Sequence, residues 1–281
     1  MRADFFRERA STWVLLMPAL LLLTLVYFYP LFQVLAVSFI EPTPGLGNYA
    51  RLLNDPDKQR VFLTTFRISA ITTLVSVLVS YAVSFIMVHS SGRRLKLVLV
   101  CVMVPFWISV LVRAFAWMVL LRTTGVINTL LQALGIISEP LDLIYNEFGV
   151  VVGMVHYMVP VATLTLYGQM KGIDKRLMAA ARGLGAGGFY SFRRIFLPLS
   201  IPGIAAAAIL IFISALGFFI IPVLLGGGKT LMLAEYISML ILQTTNWGLG
   251  TAMASVLVVL TFLLIFILSR VVDLRRVFGG V

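Results

Sequence analysis

The chain has 281 residues, of which 60% are hydrophobic and only 12% charged, with a formal net charge of +11. Soluble domains run nearer half apolar and a quarter charged, so this composition excludes a water-soluble enzyme domain and points to one membrane domain, 1–281, with its core over 61–272. The lone cysteine, Cys101, excludes an internal disulfide and a Cys-rich metal site, and no metal ligand set is predicted.

The first 30 residues have the basic-then-apolar order of a secretory leader. They lack a small-residue cleavage site and the apolar run is too long, so they read as an uncleaved first span. Crossing the hydrocarbon takes about 20 mostly apolar residues. Six segments qualify: Trp13–Phe39, Val61–Val88, Leu95–Leu121, Gly149–Met170, Ile195–Leu225 and Leu249–Val272. Lipid offers no partner to backbone polar groups, so the spans are helices, and their lack of alternation excludes an outer-membrane barrel. The predicted fold is an all-α integral membrane protein.

Between the spans, "EPTPGLGNYARLLNDPDKQR" is turn-rich, and Pro42, Pro44 and Pro56 argue against one continuous helix. "GVINTLLQALGII" and "TLMLAEYISMLILQTTNW" carry apolar residues at helical spacing and are expected at the outer surface. The loop over 172–194 is the odd one. Asp174 is placed to cap a helix. Leu177, Ala180, Ala181 and Leu184 then recur at helical spacing, and Gly185 suits the left-handed position after a helix end. Pro198 and Pro202 restrict the start of span five.

With six spans, the N-terminus, the loops after spans two and four, and the C-terminus share one side. That side holds fifteen of the 22 Lys and Arg but only four of the 11 acids, Asp4, Glu8, Asp174 and Asp273. The whole excess of +11 therefore falls on one face, which the positive-inside rule makes cytoplasmic. Topology accounts for the basic balance, and no nucleic-acid partner is implied. A basic loop obeying this rule, with alanines chosen for helix propensity, is one reading of 172–194.

Another reading comes from resemblance. Ala179-Ala180-Ala181, Gly185 and Ile195-x-Leu197-Pro198 resemble the EAA motif of binding-protein-dependent ABC importer permeases. "PFWISVLVRAFAWMVLL", "SALGFFIIPVLLGGGKTLM" and "NWGLGTAMASVLVVLTFLL" resemble the spermidine/putrescine-type branch, and the likeness runs over most of the chain from span two onward. The resemblance implies the type I importer permease fold, with 172–194 as a cytoplasmic coupling helix that docks in a cleft of an ATPase subunit. Leu177, Ala179, Ala180, Ala181, Arg182, Gly185 and Ala186 are then the ATPase-coupling residues. Ala179 stands where the motif has Glu, and Gly183 where Asp often precedes its Leu-Gly, so contact rests on shape and on bases such as Arg182. The same resemblance implies a second permease subunit in a heterodimer, two cytoplasmic ATPase subunits holding ATP and Mg, a periplasmic solute-binding protein, and a bacterial inner membrane with both termini cytoplasmic.

The chain is not expected to be an enzyme or to bind a cofactor itself. "GGGKT", Gly226 to Thr230, imitates a phosphate loop, but the pattern needs glycine where Val223 stands. It reads as a tight outer turn. Within the spans, Arg113 is a functional candidate, because a charge there is costly unless it faces an interior or a watery cavity, the other reading being that it snorkels toward an interface. Arg67, nearer a span end, is expected to snorkel. Trp107, Trp117, Tyr157, Phe218 and Phe219 join Arg113 as candidate pathway residues, with Phe218 and Phe219 after Gly217 as a gate; packing or an interfacial aromatic belt is the other reading of these rings. Polyamine-carrying relatives often have Glu where Phe218 and Val223 stand, so the solute is left open between a polyamine and an amino acid derivative or opine. An ion-driven carrier is the alternative, weakened by the lack of interior Asp or Glu; His156 reads as a hydrogen-bonded interior residue.

Overall fold

The computed structural model describes residues 15–271, with side chains to residue 267. Trp13, Val272 and several of the basic residues assigned to the cytoplasmic face lie outside the described residues. Among the described residues every regular element is a helix. In chain order these are α1 (Leu15–Ile40), α2 (Gly47–Asn54), α3 (Pro56–Val88), α4 (Gly92–Trp107), α5 (Val110–Leu121) and α6 (Val126–Ala133). There follow α7 (Glu147–Lys171), α8 (Lys175–Gly183), α9 (Gly188–Leu216), α10 (Ile220–Gly226), α11 (Leu233–Leu242) and α12 (Trp247–Val271). Six stretches are long and apolar enough to cross a bilayer: α1, α3, α5 with α6 (Val110–Ala133, interrupted at residues 122–125), α7, α9 and Trp247–Ile267.

Two predicted spans are not single helices. Leu95–Leu121 is broken after Trp107, where Ile108 and Ser109 turn extended with ψ of 134° and 139°. Pro105 lies within a turn of the break and has no N–H to offer the carbonyl of Cys101. The predicted span Ile195–Leu225 starts earlier, at Gly188, and is broken at Gly217–Phe219. Pro222 in the first turn of α10 cannot donate to Phe218, and its ring excludes that carbonyl from a continuous helix. Two π-turns have a related cause. Thr24–Phe28 and Phe192–Phe196 lie just ahead of Pro30 and Pro198, and a wider turn accommodates a proline that cannot close the ordinary ladder.

The described chain forms two compact units. In the first, which joins the residues up to Lys58 with Ile237–Val259, polar side chains fasten α2. Asn48 Nδ2 donates to the carbonyls of Ser38 (3.0 Å) and Glu41 (2.6 Å). The Tyr49 hydroxyl lies 2.7 Å from Ser38 Oγ and 2.9 Å from Ser255 Oγ. Gly248 passes so close that a Cβ would fall 2.2 Å from the Glu41 carbonyl oxygen.

The second unit, Gln59–Tyr236 with the residues from Leu260, is centred on α7. One apolar cluster gathers Ile68, Met154, Met158, Ile211 and Ile221, and another gathers Val88, Leu166, Met170 and Phe196 towards the end of α7 that leads into α8. A hydroxyl stripe on α3 faces the interior: Thr65, Ser69, Thr72, Ser76, Ser80 and Ser84 are all fully buried. Ser80 and Ser84 donate across to the carbonyls of Val159 and Thr163 on α7, at 3.0 and 2.9 Å. Small hydroxyl residues let membrane helices approach closely and tie their backbones together.

Candidate functional site

The elbow between α7 and α9 is built from local rules. Asp174 caps α8, its carboxylate accepting the Arg176 N–H at 2.9 Å. At the other end Gly185 takes φ +87°. Its N–H donates to the Arg182 carbonyl at 2.9 Å, and the Ala186 N–H reaches the Ala181 carbonyl at 3.0 Å. Those two bonds are the Schellman closure, which depends on a left-handed residue such as glycine. The helix and its terminators stand where the sequence places them.

Two contacts seat α8 on the second unit. Met178 packs with the cluster around Val88 and Phe196. Lys175 Nζ donates to the Val88 carbonyl at 2.8 Å, at the last turn of α3. The stripe predicted from Leu177, Ala180, Ala181 and Leu184 faces away from this seat: Leu177 is 46% and Leu184 90% exposed. Ala179, Ala180, Arg182 and Gly185 are exposed as well, while Ala181 and Ala186 are half-buried. Ala179 and Arg182 border a cavity of about 200 Å³ shared with His89 and Phe196. The elbow thus offers a shallow, small-residue, basic surface on a seated helix.

Inside the second unit, four of the six pathway candidates come together. Arg113 is only 6% exposed, and its guanidinium carbon lies 4.5 Å from the centre of the Tyr157 ring. Cation–π attraction offsets part of the cost of that buried charge; Nε and Nη1 have no hydrogen-bond partner. Tyr157 meets Phe218 edge-on at 4.9 Å. Trp117 donates Nε1–H to Nδ1 of His156 at 3.0 Å, so His156 is a hydrogen-bonded interior residue. Trp107 and Phe219 stand apart from these contacts, 80% and 41% exposed, each next to a helix break. Arg67 does not snorkel alone; it forms an ion pair with Glu147.

The family model for the inner membrane component of binding-protein-dependent transport systems matches residues 80–277, from the hydroxyl stripe through the elbow to the last helix. The chain belongs to this family. This inner membrane component is 36% identical over 249 residues to the spermidine/putrescine transport system permease protein PotB of Haemophilus influenzae, covering 86% of this chain and 87% of the relative. It is 32% identical over 233 residues to PotB of Escherichia coli, covering 83% and 84%. A chain of the bacterial alginate ABC transporter, solved in complex with an alginate pentasaccharide-bound periplasmic protein, superposes with a TM-score of 0.84 over 99% of both chains. At 18% identity that likeness shows the fold alone. The protein is a multi-pass permease subunit of an ABC importer in the inner membrane. The ion-driven alternative gives way to this assignment.

Sequence reasoning missed three features of the permease. The hydroxyl stripe was legible as Ser and Thr at three- and four-residue spacing within an apolar run. The Trp117–His156 bond and the Arg113–Tyr157 stack join residues about 40 positions apart and leave no such local mark.

Proposed function

We propose that this permease subunit, with a second, different permease, imports a polyamine of the spermidine/putrescine type, delivered by a periplasmic solute-binding protein and driven by two cytoplasmic ATPase subunits. The observation that carries the solute class is the likeness to two PotB permeases over more than four fifths of the chain. Both termini and the elbow lie in the cytoplasm, in keeping with the bias of basic residues.

In this reading the exposed face of α8, with Leu177, Ala179, Ala180, Ala181, Arg182, Gly185 and Ala186, meets the ATPase. ATP and Mg belong to that partner. ATPase closure displaces α8, and the Lys175–Val88 bond and the Met178 contact carry the displacement into α3 and the ends of α7 and α9. Trp107 and Phe219, at the two helix breaks, face the solute path towards the partner permease. Arg113, Tyr157, Phe218 and Trp117 form a separate packed cluster within the same unit. Broken helices suit this role, since irregular backbone at membrane depth belongs where it lines a cavity or is buried in protein.

The test is reconstitution of the complex in proteoliposomes with spermidine-loaded binding protein. Spermidine-dependent stimulation of ATP hydrolysis and uptake is expected. Gly185→Asp places an L side chain at φ +87° and a carboxylate at a helix C-terminus, costing about 1–3 kcal/mol at the elbow. The variant should insert normally yet lose the ATPase or its coupling. Full ATPase retention and full uptake in this variant would refute the placement of the coupling helix.

A further inference from the structure

At the end of α7 opposite the elbow, three loops border an open cavity of about 540 Å³. Its lining includes Arg122, Thr123, Asp142, Tyr145 and Lys229. Contacts within the chain set its walls. Asn128 is fully buried. Its Nδ2 donates to the carbonyls of Arg122 (3.1 Å) and Leu141 (2.9 Å), and its Oδ1 accepts the Leu141 N–H at 2.9 Å. One side chain thereby joins the loop after α5 to the loop before α7. Asn146 caps α7 through the Gly149 N–H at 3.0 Å and donates back to the Asp142 carbonyl at 2.6 Å. The "GGGKT" turn forms the third wall. Gly227 and Gly228 take φ +57° and +73°, and a Cβ on Gly227 would fall 2.5 Å from the Tyr145 ring. The Lys229 N–H closes the turn on the Gly226 carbonyl at 3.1 Å.

The charge of this cavity is unspent. Lys58 and Arg67 each pair with a carboxylate, whereas Arg122 and Lys229 have no ion pair among the described residues. Asp142 shares the lining, which leaves one net positive charge. The volume lies in the range that admits organic groups, well beyond a single ion. Two cations repel a polyamine, so the transported solute is a poor occupant. Carboxylates on a soluble protein are the complement, and a preformed socket spares the ordering cost of docking.

We infer that this cavity is the socket for an acidic loop of the solute-binding protein, with Arg122 and Lys229 receiving its carboxylates. The inference rests on the proposed orientation, which puts this end of α7 outside.

The whole importer, in right-side-out vesicles and a Cys101→Ser background, tests it. A membrane-impermeant maleimide is applied to Lys229→Cys. Spermidine-loaded binding protein should slow labelling several-fold, and spermidine alone should not. The double change Arg122→Glu with Lys229→Glu should raise the binding-protein concentration for half-maximal ATPase stimulation about tenfold, and added salt should narrow the gap. Unchanged labelling together with an unchanged half-maximal concentration overturns the socket. Protection by spermidine alone makes the cavity a solute site and overturns it too. Labelling reached only from the cytoplasmic side refutes the orientation itself, and the socket with it.

Discussion

Replacing Lys175 by Met keeps the aliphatic stem against the elbow and removes the ammonium that donates to the Val88 carbonyl at 2.8 Å. Val88 closes α3, so its carbonyl has no partner within the helix and sits at the negative end of the dipole. A hydrogen bond from a charged group contributes about 1.5–3 kcal/mol where water is excluded. Lys175 is exposed and water can replace it, so about 1 kcal/mol is the appropriate magnitude. That corresponds to roughly a fivefold loss in the seated population of α8. The assay compares uptake with ATP hydrolysis in proteoliposomes containing solute-loaded binding protein. Lys175→Met should lower uptake per ATP hydrolysed by up to about fivefold, while the ATPase subunits still co-purify. Lys175→Arg retains a donor and should restore most of the loss. Unchanged coupling in the Met variant, or equal damage in the Arg variant, would show that the bond carries no displacement.

Gly248→Ala drives a Cβ into the Glu41 carbonyl and against Asn48 Nδ2, which lies 2.9 Å from the Cβ position. Overpacking against backbone costs about 1–3 kcal/mol, so the thermal unfolding midpoint in detergent should fall by several degrees; an unchanged midpoint would mean that this contact is loose. Glu235 on α11 is 7% exposed, and burial pushes its carboxyl above the ordinary glutamate range. Because the folded-state value is raised, its stabilising contribution is complete below the unfolded value and is lost as pH rises through the folded one. Glu235→Gln should flatten the fall in melting temperature across that window; an identical pH profile would contradict the burial argument.

How much was legible depended on range. The Asp174 cap, the Gly185 terminator and the stripe between them were readable because each rests on residues within one or two helical turns. The direction of the stripe came only from the family resemblance, not from the residue pattern. Leu177 and Leu184 look like a packing face in sequence, and only the seating of Met178 and Lys175 turns them outward. The "GGGKT" turn was readable as a turn, but its role as a cavity wall depends on Tyr145, some eighty residues earlier.

The sequence by itself determined the crossing count, the membrane setting, the side bias of charge and the local form of the elbow. Apolar length, charge bias and cap chemistry are additive over neighbouring residues, so they survive without knowledge of the fold. Tertiary structure decided where the third and fifth predicted spans break, which ring covers Arg113, and how Asn128 draws two loops around the cavity at the end of α7 away from the elbow. Those outcomes depend on which distant backbone and side-chain groups meet after packing, since a proline opens the helical ladder locally but its neighbours determine how the chain continues.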